Sequence, residues 1–370
     1  MRVNGEIQKT IWIDEKYPNA ISIIDQRNLP HEYNIERLHT VEDVITAITD
    51  MHVRGAGLIG VAAAYGMWLA ALQVQREGQS PQGFNFYAEQ IMACRPTAVN
   101  LVWAVNKQME SLKTWDSYEH TIKLTRAVAD KIAIDDELCC FNIGKHGSKL
   151  IEDISRSKKE EVVNILTHCN AGWLAFVDWG SALAPVYKAH DAGIKVHVWV
   201  DETRPRNQGA RLTAWELEQH GVPFTIIADN TGGHLMQKGL VDIVIVGTDR
   251  TTHTGFVANK IGTYLKALAA KDNDIPFYVA LPESTFDWET EDGDEIEIEE
   301  RGPGEVTHIM GLSMSGQITM IRLVSEKAAA VNYAFDVTPP RLITGLITNR
   351  GICEPNMNDI MRLFPEKLDC

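Results

Sequence analysis

From about residue 160 onward, short apolar runs alternate with helical ones, and this alternation limits the fold more than any other feature. "VVNILT", "KVHVWVD", "FTIIAD", "DIVIVGTD" and "PFYVAL" are separated by "WLAFVDWGSALAPVYKAHDAG", "ARLTAWELEQHG", "HLMQKG" and "NKIGTYLKALAAKDN". Strand, helix, strand in sequence requires right-handed crossovers, which build a parallel sheet with helices on both faces. The runs are apolar throughout rather than alternating, as burial on both faces demands. The class expected is α/β, with a doubly wound parallel sheet.

The first part of the chain reads differently. Residues 1–140 are expected to form a mostly helical domain with a small β element, "KTIWID" and "AISIID". Residues 141–370 are expected to form the α/β domain. "VEDVITAITDMHV" repeats apolar residues at helical spacing, and "LIGVAAAYGMWLAALQ" is apolar almost all round, the mark of a buried helix. "REGQSPQG" breaks the chain, and "TAVNLVWAVNKQMESL" and "YEHTIKLTRAVADKIAIDDELCCFNIGKHGSKLI" are further helices. The acidic stretch "DWETEDGDEIEIEER" reads as a solvated loop or hairpin, because like charges repel and stay wet.

The formal net charge of −15 excludes a broad phosphate-backbone surface, so no nucleic-acid partner is expected. Six scattered cysteines form no CxxC pair and no metal spacing. They fit a reducing, cytoplasmic setting. The N-terminus is polar and mixed, and no run is expected to cross a membrane.

Ligands of doubly wound sheets bind beyond the carboxyl ends of the strands. Polar residues gather at those ends here: Cys169 and Asn170, then Asp201, Glu202 and Arg204, then Asp229 and Asn230, then Asp249 and Arg250. Asp and Asn also cap helices for structural reasons, so the pattern points to a polar cleft only as a set. A free cysteine is usually a small buried hydrophobe. Cys169 at a helix N-terminus would instead be pulled toward thiolate. His168 is adjacent, but neighbours at a strand end point to opposite faces, so no dyad is expected. Asp249 offers a cap, a metal ligand or a proton donor, and burial would keep it protonated. Asn259 and Lys260 are read as opening a helix, where an anion would compensate the lysine. Arg54 precedes a glycine-rich helix start, and Arg95 precedes Pro96 at a helix N1 position, so two more cations stand at helix mouths.

The motifs "VRGAGLIGVAAAYG", "RPTAVNL", "LTHCNAGWLA", "DETRPRNQGARLTAWEL", "GTDR" with "NKIGTY", and "PFYVALP" resemble, in order, those of the methylthioribose-1-phosphate isomerase family. The resemblance runs from about Ile11 past Gly351. It implies a helical N-terminal domain and a Rossmann-like catalytic domain, a homodimer, and no cofactor. The implied reaction turns 5-methylthioribose 1-phosphate into 5-methylthioribulose 1-phosphate in methionine salvage. Asp249 would be the proton donor and Cys169 the second catalytic residue. Arg54, Gly55, Ala56, Arg95, Gln208, Asn259 and Lys260 would bind the substrate and its phosphate, and no metal is implied. Gln208 and Ala56 come from the resemblance only.

The chain departs from the family pattern at Gly57, at Thr248, at Thr254 to Phe256, and at Glu297. The alternatives are an isomerase of ribose 1,5-bisphosphate or a 5-deoxypentose 1-phosphate, and a non-catalytic subunit like those of initiation factor 2B. A bisphosphate needs a second anion site, whereas a methylthio tail needs an apolar one. Phe256 and Trp173 are the apolar candidates for the latter.

Overall fold

The structure, a computed structural model, describes residues 1–95, 99–112 and 116–367. Pro96, expected to open a helix, and Cys370 lie outside the described residues.

The strands Ile11–Trp12, Ile21–Asp25 and Asn34–Leu38 form an antiparallel sheet at the start of the helical part. Five helices follow: Val41–Thr49, Ala56–Glu77, Pro81–Cys94, Val99–Ser111 and Tyr118–Ser157. Thr40 caps the first through a reciprocal box with Asp43, which satisfies otherwise orphaned backbone donors. The helix Ala56–Glu77 is the axis of this part. By length and composition it would be enough to cross a membrane, contrary to the sequence expectation. Here its faces are covered by the other helices, and Leu58, Ala63, Met67 and Leu69 sit in the core.

The helix Tyr118–Ser157 runs unbroken through residue 140, where a domain division was expected. Ala129, Ile132 and Ala133 pack into the helical core, while Ile143 and Ile151 pack beneath the main sheet. One rigid element therefore carries both halves.

The main sheet has seven strands in the order Ile352–Cys353, Gly345–Thr348, Phe277–Leu281, Ile243–Val246, Val163–Thr167, Val196–Asp201 and Phe224–Ile227. All five strands expected from sequence are present. All pairings are parallel except that of the edge strand Ile352–Cys353. From Val163–Thr167 the chain works outward through Val196–Asp201 to Phe224–Ile227. It then returns to the other side for Ile243–Val246 and continues to Phe277–Leu281. The reversal between Val163–Thr167 and Ile243–Val246 is a topological switch point, where the loops diverge and leave a crevice.

Two local expectations are corrected. Residues 173–193 are not one helix: a single 3₁₀ turn, Trp173–Ala175, precedes a loop, and the α-helix spans only Ala184–Asp191. Asn259 and Lys260 do not open a helix; they end the strand Val257–Lys260, which pairs with Phe335–Thr338. Gly262, at φ 104°, turns the chain before the helix Thr263–Asp272 begins.

Candidate active site

Cys169 and Asp249 follow the two strands that flank the switch point, so topology brings them to one crevice. That crevice is partly open to solvent and encloses about 640 Å³ of space between atoms, open solvent included. All nine residues expected at the site line it: Arg54, Gly55, Ala56, Arg95, Cys169, Gln208, Asp249, Asn259 and Lys260.

Each is placed by local chemistry. Gly55 stands at φ 96°, and a Cβ there would lie 2.5 Å from the Ala175 Cβ, so only glycine lets the helix mouth approach the loop. Cys169 is itself left-handed, at φ 66°. Its N–H donates to Thr203 Oγ1 at 2.8 Å, and its carbonyl accepts from Thr213 Oγ1 at 2.7 Å. The thiol is thus not at an α-helix N-terminus. Burial pushes its pKa up, against the pull of Arg54 and Lys260, so the group rests as a thiol and not as the thiolate considered from sequence. Burial likewise raises the Asp249 carboxyl, opposed by Lys260, Arg95 and Arg54.

Lys260 is 8% exposed, with its ammonium 4.9 Å from the centre of the Phe335 ring. Burial lowers its pKa, while Cys169 and Asp249 raise it. Arg54 gives one N–H to the Asn170 side-chain oxygen and another to the Asn170 carbonyl at 2.7 Å. Asn259 donates to Thr263 Oγ1, and Gln208 Oε1 has no partner among the described residues.

His168 turns away from Cys169. Its Nδ1 lies 2.9 Å from Asp201 Oδ2 and its Nε2 2.9 Å from the Ile261 carbonyl, so it ties the strand end to the neighbouring loop. Two groups of metal-ligating type occur among the described residues, and each already holds a cation. Lys266 lies 3.2 Å from Asp201 beside His168 and Asp229, and Arg27 grips Asp25 beside Glu36 and His52.

Sequence reasoning missed Arg206, Arg301 and Glu299, and named Asn170 only as a polar strand end. Arg206 and Arg301 line the cavity but are bound by Glu305 at 2.8 Å each. The acidic stretch is not merely solvated: Glu299 reaches within 3.5 Å of Arg95 and pairs with Arg301, while Ile296 is buried. The signal was present in Ile296 and Ile298, whose alternation with acids marks an amphipathic segment.

An adjoining cavity shares Ala56, Arg95, Asp249 and Phe335, and its remaining wall is the aliphatic Ile59, Val99, Ala258, Ile296 and Ile298 with the polar Asn100, Arg250 and Glu297. Phe256 and Trp173 line neither cavity. Phe256 packs against Gly293, and Trp173 is core against Trp215. Gly57 is also explained, since a Cβ there would meet the Phe176 ring at 2.3 Å and Asp136 at 2.6 Å.

Residues 52–355 match the Initiation factor 2 subunit family. The chain is similar to the methylthioribose-1-phosphate isomerase of Desulfatibacillum aliphaticivorans, with 55% identity over all of both chains. It is 54% identical to that of Rhodospirillum rubrum, covering 99% of this chain and 94% of the relative. Among solved structures it resembles the 5-methylthioribose 1-phosphate isomerase of Pyrococcus horikoshii, with TM-score 0.82, 37% identity, and 98% and 97% coverage. It also resembles the translation initiation factor eIF-2B subunit delta of A. fulgidus, with TM-score 0.77, 35% identity, and 97% and 100% coverage.

Proposed function

Since the chain belongs to the Initiation factor 2 subunit family and, within it, to the methylthioribose-1-phosphate isomerases, we propose that its cavity isomerises 5-methylthioribose 1-phosphate, an intermediate of methionine salvage, using Asp249 and Cys169. The observation that carries this is the meeting of a buried carboxyl whose pKa burial raises, a thiol and several cations in one crevice.

The substrate's anomeric carbon is locked as a phosphate ester, so the furanose must open first. Asp249, whose pKa burial raises, gives a proton to the ring oxygen as the bond from that oxygen to C1 breaks. A proton then leaves C2 and one arrives at C1, and the C2 hydroxyl becomes the ketone. Cys169 works from the minor thiolate form that Arg54 and Lys260 favour over its resting thiol: it takes the proton from C2 and returns it to C1, while the C2 hydroxyl proton goes to the Asp249 carboxylate, so that both groups end as they began. Arg54, Arg95 and Lys260 hold the phosphate, and Gln208 and Asn259 take sugar hydroxyls, which fixes the sugar's orientation.

The adjoining cavity suits a methylthio tail. The cations left over for a second phosphate are already paired: Arg206 with Glu305, Arg301 with Glu305 and Glu299, and Arg250, on the wall of the adjoining cavity, with Asp287. Incubation with methylthioribose 1-phosphate and, separately, ribose 1,5-bisphosphate, followed by NMR, should show ketose only from the first. Turnover of the bisphosphate alone would reverse the assignment.

The working form we propose is a cytoplasmic homodimer. The hairpin His308–Leu312 and Ile318–Arg322 supports it, because it exposes Leu312, Met320 and Ile321 beside Met314. Light scattering should give twice the chain mass. The unpaired thiols Cys94, Cys139, Cys140, Cys169 and Cys353 suit a reducing compartment.

A further inference from the structure

We propose that Glu216, which does not line the cavity, is a positioning residue for the phosphate site, acting through Asn170 on Arg54. The proposal rests on the reading above that Arg54 holds the substrate's phosphate.

Glu216 sits on the helix Ala214–His220 and is 0% exposed. Its carboxylate accepts four hydrogen bonds. Asn170 Nδ2 and the Leu174 N–H reach Oε1, both at 2.9 Å. The Trp173 N–H reaches Oε2 at 2.9 Å and the Tyr187 hydroxyl reaches it at 2.8 Å. Two oxygens offer about four acceptor sites, so the group is fully occupied by donors. Among the described residues only donors are hydrogen-bonded to it, and a proton on this carboxyl would displace one of the four. Burial nonetheless pushes its pKa up to about 7, against those four hydrogen bonds.

The chain is shaped to admit this group. A Cβ at Gly172 would fall 1.7 Å from Glu216 Oε2, so the loop after Cys169 passes the carboxylate only as glycine. The consequence runs through Asn170. Its amide nitrogen is committed to Glu216 and to Thr213 Oγ1 at 3.1 Å. Its amide oxygen must therefore point the other way, and there it accepts from Arg54. The same asparagine's carbonyl takes the second Arg54 N–H at 2.7 Å. A flipped amide would put N–H against N–H and release the guanidinium. Glu216 thus sets the orientation of a cation it never touches, and holds the turn that follows the catalytic thiol.

The test is a double-mutant cycle with two readouts. One is isomerase kcat and KM. The other is the inorganic phosphate concentration that half-protects Cys169 from iodoacetamide, followed by mass spectrometry. The second needs no turnover, so failure of the isomerase reading leaves this proposal separately decided. Glu216→Gln should raise the half-protecting concentration and KM by about tenfold in a folded protein. Asn170→Ala should do the same. The double variant should be no worse than Asn170→Ala, because both act along one path. Tyr187→Phe removes a donor from Glu216 without touching the Asn170 leg and should leave half-protection within about twofold.

Losses that multiply in the double variant would overturn the proposal. Wild-type protection in Glu216→Gln, or an equal loss in Tyr187→Phe, would do so as well. If Glu216→Gln does not fold, Glu216→Asp takes its place in the same cycle.

Discussion

Cys169 and Asp249 stand beyond the carboxyl ends of two neighbouring parallel strands, registered by Ile165 against Ile243 and Leu166 against Val244. The Thr167 hydroxyl ties the strands further by donating to the Ile245 carbonyl at 2.8 Å. A thiol and a carboxyl some 80 residues apart in sequence, as Thr167 and Ile245 are at a separation of 78, are thereby held to a common cavity by backbone pairing.

Removing either group should abolish most turnover with little effect on folding. Asp249→Asn retains shape but loses the ring-opening proton, and a fall in kcat of about 10²–10⁴-fold is expected. Cys169→Ser should fall as far. Steady-state kinetics with the thermal midpoint measured in parallel would check both. Near-wild-type kcat in either variant removes that residue from the chemistry.

The pH dependence of the Cys169 thiol has a definite sign. Burial raises its pKa, and Arg54 and Lys260 bring it partly back. Lys260→Met should therefore move the titration to still higher pH. Iodoacetamide labelling of Cys169 at pH 8 should slow by roughly three- to tenfold, because only the thiolate reacts. A midpoint unchanged between the two proteins would show that Lys260 does not act on the thiol.

Arg95 pairs with Glu299 across the cavity edge at 3.5 Å, a loose contact that a phosphate would readily replace. Arg95→Ala should raise KM by about tenfold or more while shifting the thermal midpoint by only a few degrees. A large loss of stability with KM preserved would make Arg95 a structural residue.

Glu305 governs acid stability at the mouth of the site. Burial alone would raise its pKa, but Arg301 and Arg206 hold it down to about 2. A carboxyl depressed in the folded state contributes stability above its unfolded value, and that stability is lost as pH falls from the ordinary carboxyl range toward 2. Glu305→Gln should cost roughly 2 kcal/mol at pH 7 and less at pH 3, after discounting for screening. Denaturant titrations at the two pH values would check it. Equal losses at both would mean the ion cluster is not the cause.

How far the sequence reached can be seen residue by residue. The five strands were legible because burial on both faces leaves uninterrupted Val, Ile and Leu. Helix Ala56–Glu77 was legible because burial on all sides leaves no polar stripe. Cys169 and Asp249 were legible as polar groups where apolar runs stop, and Arg54 and Arg95 as cations just before helix starts. Lys260 was found for the wrong local reason: its strand is too short to show a period and is held by Phe335–Thr338, some 75 residues later. Glu299 was hidden because a charge that turns inward looks, in sequence, like one that stays wet.

By itself, then, the order of residues determined which segments are buried and which end in reactive groups, since periodicity and turn chemistry are local properties. The strand order, the switch point, the rest state of Cys169 as a thiol, and the path from Glu216 through Asn170 to Arg54 were decided only in three dimensions. Desolvation and hydrogen-bond direction depend on neighbours that the chain brings together from far apart.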